Sequence, residues 1–284
     1  MKPAANHEVV RTRGGALAMR SLDAGEVMHP GVGPLVEAEQ LYARQSRLAE
    51  RLAAQAAPLV LFDVGLGAGS NAFAARAVSE RAGAGAARLE LVSFERDLGA
   101  LELALETPEA FGLDGEAVAA ARALLERGTH ETARTSWRLE RGDLLEALAR
   151  EGARADVVFW DPFSPRANPA LWTVAAFQAI RRVAGPRCTL FTYSASTATR
   201  VALLLAGWPV GVGDAIGDKA QTTAGAVEVG DLARPLQKEW LTKLSRPDAP
   251  MPSDAPSDAA LRVAQAPQFT LPAHLPLPAR AGRG

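Results

Sequence analysis

Four carboxylates stand where an apolar run gives way to a polar loop: Asp63 in FDVGLGAGSN, Glu95 in SFERD, Asp143 in RGDLL and Asp161 in FWDPFSP. The first is followed by three glycines at alternate positions, Gly65, Gly67 and Gly69, which remove the side chains that would keep a ligand from the backbone. Their spacing departs from the G-x-G-x-x-G of a dinucleotide fingerprint, in which a pyrophosphate rests on a helix N-terminus. An acid two residues before the first glycine repels a phosphate and attracts a cation such as a sulfonium or an amino group. The stretch therefore favours S-adenosylmethionine over a nicotinamide cofactor. Asp63, Gly65, Gly67, Gly69 and Asn71 are assigned to that cofactor, with Ser70 or Asn71 also able to cap the helix that follows. The alternative is a strand-to-helix turn whose glycines serve close packing alone.

The other acids divide the remaining work. A carboxylate at the end of the second strand is placed to accept both hydroxyls of a ribose, which is the role read for Glu95, and Asp143 or the backbone beside it can meet an adenine amino group. Asp161 is the candidate for chemistry. Methyl transfer to an amine needs a neutral lone pair aligned with the methyl donor, so a carboxylate that holds the amine and receives its proton suffices, and no nucleophilic residue is required. Trp160 and Phe163 put rings beside it for a flat substrate, and Phe163, Arg166 and Asn168 are the candidate substrate contacts. Taken singly, each acid also reads as a helix cap or a solvated loop residue. Four at one sheet edge point to a site.

The elements that must bring these residues together follow from the pattern. Leu59–Val64, Leu89–Phe94, Trp137–Glu140, Asp156–Trp160 and Thr189–Tyr193 read as strands alternating with helices, so the chain is expected to be an α/β protein with a doubly wound, mostly parallel sheet. Val210–Ile216 and Thr223–Val229 lie too close for an intervening helix and are expected to form an antiparallel hairpin at the sheet edge. That ending typifies the Rossmann-like class I methyltransferases. Ahead of the sheet, Glu8–Met28 reads as short strands turning at Arg13-Gly14-Gly15. After a Pro30-to-Pro34 breaker, one helix is expected from Leu35 to about Ala56, ended by Pro58. Residues 1–57 are thus read as an N-terminal β-rich extension and helix, 58–244 as the methyltransferase domain, and 245–284, proline-rich with little apolar periodicity, as an irregular tail.

Composition narrows the setting. Among 284 residues Cys188 is the only cysteine, which excludes internal disulfides and thiolate metal clusters, and no metal site is expected. No apolar run reaches the roughly 18 residues of a membrane span, and no signal sequence starts the chain, so a soluble cytoplasmic protein is expected. A net charge of −1 gives no sign of a strongly basic nucleic-acid surface.

DVGLGAGSN, SFERD, RGDLLEAL and WDPFSPRANPALWTVAAF together resemble the tRNA 5-methylaminomethyl-2-thiouridine methyltransferase family, that is, the MnmC methyltransferase domain and its stand-alone MnmD form. The family pattern of an aspartate, a phenylalanine, a proline, an Asn-Pro pair and a tryptophan is matched by Asp161, Phe163, Pro165, Asn168, Pro169 and Trp172. The segment Gly25–Tyr42, with Met28-His29-Pro30 and Glu37, resembles the family's pre-sheet region, so the similarity runs from about Glu8 to Lys243. The resemblance implies methyl transfer from S-adenosylmethionine to the aminomethyl nitrogen of a modified wobble uridine in tRNA, with Asp161 holding the amine. It also implies a stand-alone enzyme whose substrate is made elsewhere, since the chain has no room for the flavin-dependent oxidase fused to many relatives.

This chain departs from the family in having Ala167 and Ala170 beside the Asn-Pro pair and only Lys219, next to Asp214 and Asp218, where many members carry a basic run. Two other readings stay open. One is an N-methyltransferase or aminopropyltransferase-like enzyme acting on a small amine, which needs no basic surface. The other is a non-catalytic scaffold that binds the cofactor or RNA without turnover.

Overall fold

A computed structural model describes residues 6–12, 15–28, 34–216, 220–246 and 248–270. The chain opens with three short strands, β1 (His7–Arg11), β2 (Leu17–Ser21) and β3 (Glu26–Val27), paired as an antiparallel sheet of their own. Residues 13 and 14 of the turn, residue 29 and residues 30–33 of the proline-glycine breaker lie outside the described residues.

The single helix expected over 35–56 is instead three pieces: α1 (Pro34–Glu37), a π-helical stretch (Ala38–Arg44) and α2 (Leu48–Ala54). The break falls at Arg47, which has a φ of 53°. Arg47 is the one described non-glycine residue in left-handed backbone, and it resets the helix so that Leu41 and Tyr42 before it and Leu48 and Leu52 after it are all buried. Helical spacing alone does not show such a break, because the apolar positions stay in phase on both sides of it.

The main sheet contains β4 (Leu59–Val64), β5 (Leu89–Glu95), β6 (Thr129–Glu131), β7 (Thr135–Arg141), β8 (Ala155–Trp160), β9 (Ala184–Thr192), β10 (Val210–Gly213) and β11 (Thr222–Ala226). Their order is β10-β11-β9-β8-β4-β5-β7-β6. From β7 to β9 every pairing is parallel, while β11 runs antiparallel to both β9 and β10, so the hairpin expected at the edge is there. The edge strand β6 was not expected; its sequence, Thr-His-Glu, is polar and largely exposed and carries no apolar alternation.

Helices α3 (Ser70–Glu80), α4 (Gly99–Ala104), α5 (Gly115–Arg127), α6 (Leu144–Arg150), α7 (Val174–Arg182) and α8 (Thr197–Leu205) cover the two faces. The pleat sorts the strands between two cores. Leu59 and Leu61 point toward α3 and the π-helical stretch, whereas Phe62 and Val64 point toward α7 and α8. The same period places Asp63, Ser93, Glu95 and Asp161 on the α3 side.

Part of the chain read as an irregular tail is folded. Helices α9 (Ala259–Ala264) and α10 (Pro267–Thr270) bury Val263 and Phe269 against the α8 side of the sheet. The Gln268 side chain accepts from Val210 N and donates to Val210 O, each at 2.7 Å, beside Arg234–Leu236, whose main chain covers the rest of that edge of β10. The prolines that suggested disorder bracket two short helices rather than preventing them.

Candidate active site

Strand β4 sits where the order of strands reverses, with β5 on one side and β8 on the other, and the carboxyl ends of such strands are where open α/β sheets bind ligands. A cavity of about 930 Å³ lies there, which is within the range for a small-molecule site. Its floor is the glycine turn after β4. Gly65 has a φ of 88° and its main chain lies against that of Asp161, while a Cβ on Gly67 would lie 3.1 Å from the Met28 sulfur. Side chains at these positions would run into the Asp161–Pro162 main chain and Met28, so the turn lines the cavity with main chain at Gly65 and Gly67.

Of the residues singled out in the sequence, Gly65, Gly67, Glu95, Asp143, Asp161, Phe163 and Asn168 line the cavity. Asp63, Gly69, Asn71 and Arg166 do not. Gly69 has a φ of 89° and starts α3, packed on the Phe73 ring. Asp63 is fully buried beneath the turn, in a chain where Trp137 Nε1 donates to Ser93 Oγ at 3.0 Å and Ser93 Oγ donates to Asp63 Oδ2 at 2.8 Å. Burial pushes its pKa up to about 7, the Ser93 hydrogen bond working against that and the charges of Asp161 and Glu95 adding to it. Arg166 is exposed, 4.0 Å from Glu26.

The carboxylates of Glu95, Asp143 and Asp161 already hold protein donors, backbone N–H groups for the first two and a side-chain amide for Asp161. Glu95 accepts from Gly67 N at 3.0 Å, from Arg96 N at 2.7 Å and from Asp97 N at 3.0 Å, so its carboxylate ties the loop after β5 to the glycine turn. Asp143 caps α6, its Oδ1 accepting from Leu145 N and Glu146 N. Asp161 continues β8 through its N–H to Val64 O at 2.9 Å, and its Oδ2 accepts from Asn71 Nδ2 at 2.6 Å. The Tyr193 hydroxyl donates to Pro162 O at 3.2 Å, and its pKa is raised by burial and then by the charges of Asp161, Glu26 and Glu37.

Several wall residues were not legible as site residues. His7, Asp23, Glu26 and Met28 come from the N-terminal sheet, which forms one side of the cavity, and Glu26 accepts from both the N–H and the hydroxyl of Ser164. The family resemblance takes in Glu26 and Met28 without giving them a role, and the place of all four depends on how a separate sheet docks. Among the described residues the cavity wall holds seven carboxylates (Asp23, Glu26, Glu37, Glu95, Asp97, Asp143 and Asp161) and one arginine, Arg96. Such a wall favours a positively charged ligand.

The comparisons with known proteins agree with that geometry. A family described as S-adenosyl-L-methionine-dependent methyltransferase matches residues 116–228. The tRNA 5-methylaminomethyl-2-thiouridine biosynthesis bifunctional protein MnmC of Stutzerimonas stutzeri (strain A1501) is 30% identical over 234 residues, covering 78% of this chain and 35% of that protein. The protein of the same name from Pseudomonas putida (strain GB-1) is 32% identical over 203 residues, covering 67% of this chain and 30% of its own length. The crystal structure of MnmC2 from Aquifex aeolicus superposes with a TM-score of 0.71 at 26% identity, covering 91% of this chain and 85% of that one.

The chain carries an MnmC-like methyltransferase domain. It spans about a third of the length of the curated relatives it matches. S-adenosylmethionine is the cofactor of this class of domain, and the residues present fit it: the glycine turn lines the cavity with main chain, and the wall around it is acidic, as a sulfonium requires. No helix among the described residues is long and apolar enough to cross a membrane.

Proposed function

We propose that the chain methylates the aminomethyl nitrogen of 5-aminomethyl-2-thiouridine at the wobble position of tRNA, using S-adenosylmethionine. The observation that carries this reading is the Asp161 carboxylate at the cavity wall beside Phe163 and Asn168, in a domain whose curated relatives are named for the biosynthesis of the methylated product, 5-methylaminomethyl-2-thiouridine. Bound S-adenosylmethionine supplies an electrophilic methyl on a sulfonium. The chain's own residues do the rest. The Gly65–Gly69 turn receives the cofactor's methionyl end, Glu95 the ribose hydroxyls and Asp143 the adenine edge, while Asp161 holds the acceptor amine and takes the proton released as the N–C bond forms and the C–S bond breaks. Phe163 and Asn168 face the uracil ring. The same reading places the protein in the cytoplasm, where tRNA is modified.

A small amine as acceptor is favoured by a different observation. Of the described arginines that could mark an RNA surface, Arg166 stands beside the cavity, 4.0 Å from Glu26, but Arg44 and Arg47 line a second groove, Arg181 lies over the Trp208 ring and Arg200 is buried against Thr223 and Thr222. Mass spectrometry of tRNA nucleosides from cells lacking the gene decides between the two. Accumulated 5-aminomethyl-2-thiouridine supports the tRNA acceptor, and an unaltered nucleoside profile favours a small-molecule acceptor.

A further inference from the structure

The Asn71 side chain stands at the second position of α3, 4% exposed, and lies behind the cavity wall rather than on it. Its Nδ2 donates to Asp161 Oδ2 at 2.6 Å. Its other polar atom, Oδ1, is buried with no hydrogen-bond partner among the described residues. An amide in this place has one useful orientation, because a flipped side chain would set its oxygen against the carboxylate and leave both acceptors unserved. Asp161 meets it for a reason readable in the pleat. Val157, Phe159 and Asp161 project from β8 toward the α3 side, and on that side Tyr42 from the π-helical stretch packs its ring 5.1 Å from Phe159. The Tyr42 hydroxyl is fully buried there, and its pKa is raised by burial and then by the charge of Asp161.

We infer that Asn71 is a positioning residue for Asp161: by binding Oδ2 it holds the carboxylate in one rotamer, keeps it ionised and turns Oδ1 toward the acceptor nitrogen. The inference rests on the reading of Asp161 as proton acceptor. It gives Asn71 a role distinct from the cofactor contact expected of a residue just past the glycine turn. A donor hydrogen bond to the charged form of an acid lowers its pKa, and a like charge in the same place raises it. Removing the Asn71 donor therefore acts on the protonation of Asp161 and leaves the cofactor contacts untouched.

The test uses Asn71→Asp, which keeps size and loses the donor, and Asn71→Ala, which loses the donor without adding charge. Both are compared with the unaltered protein and with Asp161→Asn for S-adenosylhomocysteine affinity by calorimetry and for the pH dependence of kcat at saturating cofactor. The expected result is S-adenosylhomocysteine binding within about 3-fold of the unaltered protein, a kcat lowered on the order of 10-fold to 100-fold, and an acid limb of the kcat profile moved to higher pH, further for Asn71→Asp than for Asn71→Ala. If one variant fails to fold, the other carries the same expectation. A cofactor affinity lowered more than about 10-fold with an unmoved pH profile would overturn the inference and return Asn71 to the cofactor. Turnover by Asp161→Asn at the unaltered rate would instead remove the reading on which it rests. A slow Asp161→Asn beside an Asn71→Asp with an unshifted profile would sink the positioning role alone.

Discussion

A Cβ built on Gly65 would lie 2.7 Å from the Asp161 carbonyl oxygen and 3.1 Å from the Pro162 Cα. The glycine turn at the cavity and the loop that carries the candidate proton acceptor are thus in main-chain contact, and the Gly65 position is closed to any side chain by space and by its φ of 88°.

Gly65→Ala is expected to cost about 3 kcal/mol of stability or more, the sum of left-handed strain and an unrelieved backbone clash. Gly25→Ala supplies the comparison, since Gly25 has a φ of 64° with nothing within 4 Å of its would-be Cβ. It should lose only the strain, about 1 kcal/mol. Urea denaturation of the two variants measures the difference, and equal losses would show that the contact with Asp161 yields easily.

Much of this arrangement is written locally, and the rest is not. The parallel strands β4, β5 and β8 are apolar runs buried on both faces, so their composition and their glycine, acid and proline boundaries reveal both the strands and the acids at their ends. Nothing local reveals where an acid turns once it leaves the strand. Glu95 folds back onto the glycine turn, Asp63 lies beneath it, and Asn71 faces Asp161, each because of a partner far away in the chain. The break at Arg47 is hidden because it preserves the apolar phase. The helices at Ala259–Ala264 and Pro267–Thr270 are hidden because each is short and depends on packing more than on propensity.

The buried Asp63 makes stability depend on pH. With a pKa of about 7 in the folded chain against the ordinary 3.8, the native state keeps a proton that the unfolded state has released. Its contribution is therefore fully present below about pH 4 and is lost as pH rises toward 7, by at most about 1.4 kcal/mol per pH unit. Asp63→Asn, which can still accept from Ser93, should flatten that part of the curve and gain on the unaltered protein as pH rises. Urea unfolding at pH 4.5, 6 and 8 checks this, and a difference between the two proteins that stays constant with pH would mean that Asp63 is ionised throughout.

Glu95 holds three backbone N–H groups as well as a place in the cavity. Glu95→Ala is expected to weaken S-adenosylhomocysteine binding by about 1.5 to 3 kcal/mol, the scale of hydrogen bonds to a charged group. Titration calorimetry reads it directly. Binding at the unaltered affinity would leave Glu95 as a loop tie with no part in holding the cofactor.

The two terminal helices should be integral to the sheet. Phe269 is 2% exposed, so Phe269→Ala should cost about 3 kcal/mol. Gln268→Ala, which leaves the Val210 main-chain groups without that side chain, should cost about 1 to 3 kcal/mol. Denaturation midpoints within error of the unaltered protein would make these helices an ornament on a sheet that is complete without them.

The N-terminal sheet reaches the loop after β8 through Glu26, whose carboxylate accepts from the Ser164 N–H at 3.0 Å and from the Ser164 hydroxyl. That loop carries Phe163 and Asn168, and Trp172 Nε1 ties its near end by donating to Phe163 O at 2.7 Å. Glu26→Ala removes the only described side-chain acceptor for the Ser164 N–H and frees the centre of the loop, while Asp161, fixed by β8 and Asn71, stays where it is. The variant should raise KM for the acceptor by about 10-fold, the equivalent of one lost hydrogen bond to a charged group, with kcat within a factor of about 3. Steady-state kinetics with the acceptor varied at saturating S-adenosylmethionine separates the two constants. A fall in kcat with KM unchanged would place the effect of Glu26 on the reacting centre instead of on the loop.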